Sequence, residues 1–390
     1  MKAVLSYMMV FFAAAFYMLL FDRAAGAIMI VFLAVIPAVS VFLTVFTRKK
    51  LEFSVVVDDS RIKKNKKSKI QVYVKKNTVL PVPIVSFSVK LGERFRKPEY
   101  DTFRFSMSEN KHVSIDIDVF PEVFGTAEIL IDKIYITDYL GIFKFKTKTR
   151  MISEKIYILP EIKEFEDGTE IFRSIYASLP DNDDDETTAF VYGRASFPGY
   201  EYREYMPGDS LKKINWKLSS KKDRFYVRMD ESAGMTLPDI ILDTTPFKET
   251  KNDRYALLME EMIAEGALSL LMMCVNNGIE CTFSYQDGGV LKKTLVSSPR
   301  DVEELAFDIC MTSFEPSDIV LEAEEFSKST DVSVVYTLDV SEKLAASAED
   351  FVLKGNSVKI IIPEQLSGST KAVFSDMWTI GEDLVPVRVL

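Results

Sequence analysis

The residue types best suited to chemistry are concentrated in one stretch, EYREYMPGDSLKKINWKLSSKKDRFYVRMDE, at residues 201–231. Arg203, Asp209 and Lys217 could form a polar cluster there, presented to a partner or to a phosphate-bearing ligand. The stretch also contains two S-x-x-K patterns, which serve acyl transfer in some enzymes, but a lysine-rich helix supplies such matches by chance. The alternative is structural: an Asp at a helix start, a Trp wedge and a basic residue near Glu204 would fasten an insert to the neighbouring sheet.

A second candidate centre follows the short apolar strand in LPDIILDTTPF (residues 237–247). Asp243 closes this strand and Asp339 closes a later one, and ligands gather at the carboxyl ends of strands in parallel sheets. The arrangement resembles the metal site of a von Willebrand factor A domain, which begins D-x-S-x-S, with Asp243 and Thr245 in the first two positions. Phe247 stands in the third position and cannot ligate magnesium, which requires a nearly complete octahedron of oxygens. Water could replace the missing hydroxyl, but the pattern favours a metal-free remnant. We therefore expect no cofactor, with magnesium as the alternative.

The composition excludes several other classes of site. The chain has 390 residues, a formal net charge of -10 and a pI near 5.0, which argues against nucleic-acid binding because such proteins need a basic face. A single histidine, His112 on the polar face of a predicted strand, leaves almost nothing for a Ser-His or Cys-His dyad or a zinc site. Cys274, Cys281 and Cys310 lie in apolar runs, so we expect small core residues in a reducing compartment. No Walker A loop, G-x-G-x-x-G or G-x-S-x-G pattern occurs, so we expect no nucleotide hydrolysis by the chain itself.

Residues 3–46 are strongly apolar and predict two membrane-spanning helices. About 19 uncharged residues precede Asp22 and Arg23 and about 23 follow them, and at about 1.5 Å per residue each run reaches roughly the 30 Å of a bilayer core. Asp22 and Arg23 mark a tight turn at the far surface, since charges at mid-membrane are costly. Lys2 and the TRKK run (residues 47–50) are the flanking basic residues, so we expect both termini on the cytoplasmic side of the plasma membrane. A cleaved signal peptide is the alternative, but its apolar core would be too long and a second span follows at once.

Residues 51–160 alternate apolar and polar side chains with a period of two, which predicts about seven short strands. Strands of this number and spacing indicate an antiparallel sandwich of the immunoglobulin-like type. The basic run RIKKNKKSK (residues 61–69) falls in the first loop between strands. It could contact anionic lipid headgroups near the bilayer, or it could be a solvated hairpin tip, and the sequence leaves both interpretations open.

Residues 161–200 are predicted to form a linker that contains an acidic loop, LPDNDDDETT (residues 179–188). This loop lacks the Gly and the Glu that a calcium-binding EF-hand requires at its sixth and twelfth positions, so we expect it to be disordered. Residues 236–390 alternate strands with helices, which predicts an α/β domain with a largely parallel sheet covered by helices on both faces. Ser298 is expected to cap one helix and Gly278 to end another.

Between these regions, residues 201–235 predict an insert with the order strand, turn, helix, strand. Asp209 follows the Pro-Gly turn and is expected to cap a short helix. The apolar residues of that helix are Leu211, Ile214 and Leu218. The run RFYVRMDE then predicts a second strand with Phe225, Val227 and Met229 on one face.

The insert resembles the signature of the DUF58 family of unknown function, written roughly R-E-Y-x-x-G-D-x-x-R-x-I-D-W-K-x-S-A-R. The matching residues are Arg203, Glu204, Tyr205, Gly208, Asp209, Ile214, Trp216, Lys217 and Ser219. Lys212 stands where the family has Arg and Asn215 where it has Asp, and the loss of a planar guanidinium makes bidentate anion binding less favourable here. The order of two spans, a β module ending in DYLGIF (residues 138–143), the signature and an A-like domain extends the resemblance across nearly the whole chain.

The resemblance implies a bacterial or archaeal membrane protein that partners a MoxR-type AAA+ ATPase in envelope assembly or protein maturation. We therefore expect a membrane-anchored cytoplasmic adaptor that is not an enzyme, and its oligomeric state stays open. The binding residues implied by the resemblance are Arg203, Glu204, Tyr205, Gly208, Asp209, Lys212, Ile214, Asn215, Trp216 and Lys217. The alternative is an envelope-associated enzyme that uses Asp209 and Lys217 with a hard metal near Asp243.

Overall fold

A computed structural model describes most of the chain. The described residues are 2–57, 59–108, 111–147, 152–165, 169–178, 196–205, 214–222, 224–232, 237–247, 253–316, 321, 332–367 and 374–389. The chain folds into two compact units, residues 1–159 and residues 160–390.

The first unit begins with two antiparallel helices, α1 (Lys2–Leu20) and α2 (Arg23–Arg48). Asp22 caps α2 by accepting hydrogen bonds from two backbone N–H groups of its first turn, at 2.8 and 3.3 Å, which accounts for an acid at the turn. Gly26 lets the helices meet closely, because a Cβ there would lie 2.3 Å from that of Met18. Among the described helices, α2 is long and apolar enough to cross a membrane, whereas the apolar part of α1 is shorter. One long apolar helix near the N-terminus is therefore present, and the second span stays a prediction.

Nine described strands follow and form two sheets around a common core. They are β1 (Leu51–Val57), β2 (Arg61–Lys63), β3 (Ser68–Lys76), β4 (Val82–Leu91), β5 (Thr102–Met107), β6 (His112–Val119), β7 (Gly125–Thr137), β8 (Lys144–Lys146) and β9 (Ile152–Leu159). One sheet has the order β1-β3-β6 and the other β2-β9-β7-β4-β5, with β8 paired to β7. Alternate residues of both sheets, among them Val74, Phe87 and Ile131, are buried in one cluster. The β-rich body predicted from the period of two is confirmed, except that β2 pairs with β9 in parallel.

The C-terminal part of α2 packs on this sandwich, where it contacts β4 and β7. Ser40 Oγ donates a hydrogen bond to Asp138 Oδ2 at 2.9 Å, and both side chains are buried. The other carboxylate oxygen of Asp138 accepts from the backbone N–H of Phe143 at 2.8 Å and closes the loop between β7 and β8. Gly141 relieves the backbone of this loop, since its φ of 72° lies in the left-handed region. The DYLGIF sequence therefore forms a tight loop that is fixed to a helix turn.

The basic run at residues 61–69 lies at the opposite end of the sandwich from α2. Strand β1 continues from the end of α2, and its register with β3 places Leu51 opposite Lys76 and Val57 opposite Ile70. Six residue steps of about 3.3 Å separate these pairs, so the basic run lies about 20 Å from the end of the helix. The fold therefore favours the solvated-tip interpretation, and contact of the run with lipid headgroups stays a prediction.

The second unit contains a two-stranded sheet and a seven-stranded sheet. Its described elements are α3 (Glu170–Ser178), β10 (Ser196–Glu204), α4 (Trp216–Lys222), β11 (Tyr226–Ser232), β12 (Asp239–Leu242), α5 (Asp253–Asn276), β13 (Cys281–Asp287), β14 (Val290–Val296), α6 (Pro299–Met311), β15 (Val332–Tyr336), α7 (Glu342–Leu353), β16 (Ser357–Pro363), a 3-10 turn (Glu364–Leu366), β17 (Met377–Ile380) and β18 (Pro386–Arg388). The large sheet has the order β14-β13-β12-β15-β16-β17-β18. Its five inner strands are parallel, and the edge strands β14 and β18 are antiparallel to their neighbours.

Helices cover both faces of this sheet. Val335 on one face joins a buried cluster with Leu344 of α7. Tyr336, the next residue, points to the other face, where it approaches Gly266 of α5. A Cβ at Gly266 would lie 2.2 Å from Ile380 Cδ1, so only glycine lets α5 lie this close to the sheet.

The expected helix boundaries and cysteine positions are also confirmed. Ser298 caps α6 in a capping box: its Oγ accepts from the backbone N–H of Asp301, whose carboxylate accepts from the backbone N–H of Ser298 at 2.8 Å. Gly278 follows the end of α5 with a φ of 77°. The three cysteines, Cys274, Cys281 and Cys310, are free and buried.

Part of the predicted linker belongs to the second unit. Helix α3 buries Ile171 and Ile175 completely, and the backbone N–H of Glu161 donates to the buried Glu265 Oε1 of α5 at 2.8 Å. The linker prediction is corrected for this part, because apolar residues spaced by four give α3 a face to bury. The acidic loop lies outside the described residues.

Candidate functional site

The signature insert is built on the antiparallel pair of β10 and β11, with α4 in the connection between them. The register places Arg203 opposite Val227 and Glu204 opposite Tyr226. The signature residues outside the described part of the chain are Gly208, Asp209 and Lys212. The polar cluster of Arg203, Asp209 and Lys217 therefore stays a prediction.

The helix of the insert begins later than the sequence predicts. Ile214 precedes α4, which starts at Trp216, and Asn215 Oδ1 accepts a hydrogen bond from the backbone N–H of Leu218 at 3.0 Å. Asn215 is therefore the cap of α4, since its carboxamide reaches an N–H group that the first turn leaves without a helical partner. Ile214 was predicted to lie inside the helix of the insert, and this prediction is wrong. Asp209, the predicted cap, lies outside the described residues.

Two buried residues fasten α4 to β11. Ile214 forms an isolated bridge with Val227, and both side chains are buried. Ser219 is also buried, and its Oγ accepts a hydrogen bond from the backbone N–H of Tyr226 at 2.9 Å. These contacts give Ile214 and Ser219 structural roles in the insert.

Three aromatic side chains of the insert lie together at the surface. Trp216 is 62% exposed and Phe225 is 55% exposed, and their rings meet edge to face at 5.9 Å. Tyr205 meets Phe225 at 6.3 Å in the same manner. We call Tyr205, Trp216 and Phe225 the aromatic patch. Phe225 was expected on the same strand face as Val227, but it precedes β11 and is exposed, whereas Val227 is buried.

Positively charged side chains lie close to the aromatic patch in sequence, and several of them share helix α4 with Trp216. The exposed lysines of α4 are Lys217, Lys221 and Lys222. Arg224 Nη1 lies 2.7 Å from Glu204 Oε1, and this hydrogen bond raises the pKa of the Arg224 guanidinium above its usual value. The basic partner expected for Glu204 is therefore Arg224. This exposed ion pair links the end of β10 to the residues just before β11.

The second candidate centre brings together three residues at the carboxyl ends of β12 and β15. Asp243 Oδ1 accepts hydrogen bonds from Thr245, from its backbone N–H at 2.9 Å and from Oγ1 at 2.6 Å. Asp243 Oδ2 accepts from Thr337 Oγ1 at 2.7 Å, and both Asp243 and Thr337 are buried. The sequence pattern identified Asp243 and Thr245 but missed Thr337. The available signal was a hydroxyl directly after an apolar strand, two residues before Asp339.

This donor set does not fit a hard cation. Both oxygens of Asp243 already accept from hydroxyl groups, whereas magnesium needs about six oxygens. Asp339 is exposed and joins the group through its backbone, which contacts Thr337 Oγ1 at 2.8 Å. Phe247 packs edge to face on Tyr255 at 5.9 Å rather than adding a ligand. Within the described ranges, no group of three or more His, Cys, Asp or Glu side chains could hold a metal ion.

Comparison with known proteins gives only distant structural neighbours. No family model matches the chain, and no curated protein matches it. The chain is similar to a cohesin module from a family 33 glycoside hydrolase of Clostridium perfringens, at 7% identity and a TM-score of 0.23, over 28% of this chain and 96% of that chain. It is similar to alpha-2-macroglobulin from Escherichia coli at 12% identity and a TM-score of 0.24, over 28% of this chain and 16% of that chain.

A third neighbour is the CARDB domain of a Pyrococcus furiosus protein in complex with di-metal ions. The identity is 13% and the TM-score 0.21, over 28% of this chain and 94% of that chain.

Proposed function

We propose that this chain is a membrane-anchored interaction protein related to the DUF58 family. Its α/β domain is of the von Willebrand factor A type and, with the signature insert, docks a MoxR-type AAA+ ATPase in envelope assembly or protein maturation. The observation that carries this proposal is the aromatic patch. It lies at the surface of the signature insert, whereas buried residues such as Ser219 hold the insert together.

The aromatic patch has the composition of a binding hot spot. Trp and Tyr dominate the energetics of protein interfaces, because each buries a large rigid surface at a low cost in side-chain entropy. Trp216 and Phe225 are more than half exposed, while Ile214, Asn215 and Ser219 make the contacts that hold α4. The lysines of α4 suit a partner whose apolar pocket has an acidic rim.

The membrane anchor is supported by the exposure of the helices. Phe12 of α1 and Phe42 of α2 are about 70% exposed, as residues facing lipid would be. Helix α1 packs along α2, so we propose that it forms the second span despite its shorter apolar run. Lys2 and the TRKK run then lie on one side, which by the positive-inside rule is the cytoplasmic side of the plasma membrane.

The A-type assignment is supported by topology. The seven-stranded sheet reverses its strand order next to β12, and ligands bind at such switch points in α/β sheets. Asp243 and Thr245 occupy this edge directly after β12. The MoxR-type partner is drawn from the resemblance of the signature insert, and the aromatic patch is the surface that we assign to it.

Affinity capture of the tagged full chain from detergent-solubilised membranes tests the proposal. We expect an AAA+ ATPase of the MoxR type in the captured fraction, identified by mass spectrometry. Trp216→Ala should reduce its recovery at least tenfold, since a hot-spot side chain contributes about 2 kcal/mol or more. Tyr100→Ala is the matched control, because Tyr100 is an aromatic residue of the first unit with 68% exposure.

The two parts of the proposal fail separately. Capture without any AAA+ ATPase would contradict the partner, whereas equal recovery with Trp216→Ala and Tyr100→Ala would contradict the aromatic patch as its docking surface. The enzymatic alternative requires Asp209, Lys217 and a hard metal near Asp243. The geometry favours it less, because the Asp243 carboxylate is already shared by two hydroxyl groups.

A further inference from the structure

Two loops of the sandwich lie beside the C-terminal end of α2. The loop between β3 and β4 is tied to this end by Asn77, whose backbone N–H donates to the carbonyl of Lys50 at 2.8 Å. The loop between β7 and β8 is tied to α2 eight residues before the helix ends, by the hydrogen bond from Ser40 to Asp138. The hydroxyl of Tyr139 donates to the carbonyl of Pro81 and joins the two loops to each other.

These loops expose apolar side chains without any charge between them. Residues 78–84 read TVLPVPI and residues 139–143 read YLGIF. The exposed large apolar residues in them are Val79 (96%), Ile84 (49%), Phe143 (46%) and Tyr139 (37%). We call residues 78–84 and 139–143 the apolar shelf. The opposite end of the same sandwich carries RIKKNKKSK, so the two ends have opposite character.

The length of α2 fixes the depth of the loop between β7 and β8, which Tyr139 joins to the rest of the apolar shelf. Ser40 lies seventeen residues beyond Arg23, which is about 26 Å along the helix axis. If the Asp22 turn lies at one surface of a hydrocarbon core about 30 Å thick, Ser40 lies about 4 Å inside the other surface. Tilting of the helix would only move Ser40 deeper. The loop that Asp138 fixes to Ser40 is therefore at the boundary between acyl chains and headgroups.

We propose that the apolar shelf inserts into the membrane surface around the exit of α2, in the same leaflet. This inference rests on the membrane anchoring proposed above. Tyr139 is suited to that depth, because its ring is apolar and its hydroxyl is hydrogen-bonded. The exposed cations next to the apolar shelf are Lys49, Lys50, Lys144 and Lys146, which match anionic headgroups. The sandwich thus contacts the membrane surface directly, in addition to its attachment through α2.

Site-directed fluorescence in vesicles tests this placement with the full chain. Single cysteines are introduced by Val79→Cys and Phe143→Cys, labelled with an environment-sensitive fluorophore, and the protein is reconstituted in vesicles of phosphatidylcholine and phosphatidylglycerol. The native cysteines are buried, and the unsubstituted chain measures their labelling. Lys66→Cys is the matched control on an exposed loop at the opposite end, and Phe42→Cys reports the anchor itself.

We expect lipids with a shallow doxyl group to quench labels at residues 79, 143 and 42 several-fold more than the label at residue 66. Aqueous iodide should show the reverse order. Quenching by lipid at residue 42 alone, with residues 79 and 143 as accessible to iodide as residue 66, would overturn the apolar shelf while leaving the anchor intact. Absence of lipid quenching at residue 42 would instead overturn the anchor on which the inference rests.

Discussion

Replacement of Asp138 tests whether α2 and the sandwich are joined as the structure describes. The Asp138 carboxylate is buried and accepts two hydrogen bonds, from Ser40 Oγ at 2.9 Å and from the backbone N–H of Phe143 at 2.8 Å. A hydrogen bond to a charged acceptor contributes about 1.5–3 kcal/mol, so two contribute about 3–6 kcal/mol. Removal of a buried charge offsets part of the loss. We therefore expect Asp138→Ala to cost about 3 kcal/mol.

Native-state hydrogen exchange of the full chain in detergent micelles measures this change locally. A loss of about 3 kcal/mol corresponds to about 100-fold faster exchange of protected amides in the peptide from residue 134 to residue 147. Ser40→Ala removes one of the two donors and should accelerate exchange about tenfold. Because both substitutions remove the same hydrogen bond, the double variant should show less than the sum of the two effects.

The control is Asp59→Ala, which removes an exposed carboxylate that also accepts a backbone N–H, from Arg61 at 2.8 Å. Exchange in the peptide from residue 134 to residue 147 should not change in that variant. Exchange within about threefold of the unsubstituted chain in Asp138→Ala would refute the energetic reasoning. Full additivity of Ser40→Ala and Asp138→Ala would refute the assigned hydrogen bond.

Two further predictions concern the second unit. Calorimetric titration with magnesium should give no heat, and magnesium binding that Asp243→Ala abolishes would contradict this. Asp243→Ala should also lower the free energy of unfolding by about 2 kcal/mol, because the buried Thr337 hydroxyl and the partly buried Thr245 hydroxyl lose their acceptor. Burial lowers the pKa of the Lys359 side chain below its ordinary value of 10.5, although the negative charge of Asp376 acts in the opposite direction. Between the lowered pKa and 10.5, the unfolded chain binds more protons than the folded chain, so this lysine makes the free energy of unfolding rise with pH. Lys359→Met should flatten this pH dependence, as measured by denaturant unfolding at several pH values.

Much of the fold could be predicted because the local patterns agree with the tertiary contacts. The period of two along residues 51–160 matches strands that each present one face to a single core. Ser298 and Gly278 act within their own helix ends, so the sequence indicates them directly. The linker prediction was wrong where α3 forms, because a helix of nine residues shows its pattern over only two turns.

The candidate site was predicted less completely, since exposure and long-range contacts leave weak traces in a sequence. Trp216 was singled out by the signature, but its exposure depends on how α4 lies on β11. Thr337 reaches Asp243 from a strand 94 positions away along the chain. The family, the A-type assignment, the partner, the orientation in the membrane and the second span stay predictions that the proposed experiments address.

The sequence by itself determined the apolar N-terminal helices, the β-rich middle and the alternation of strands and helices, because each of these follows from hydrophobic periodicity along the chain. Only the tertiary structure decided which ends meet. It brings Ser40 to Asp138 across 98 positions and places an uncharged pair of loops beside the C-terminal part of α2, with the basic run at the far end of the sandwich. The physical reason is that strand pairing fixes which turns share an end of the sandwich, and this register depends on packing between residues distant in the chain.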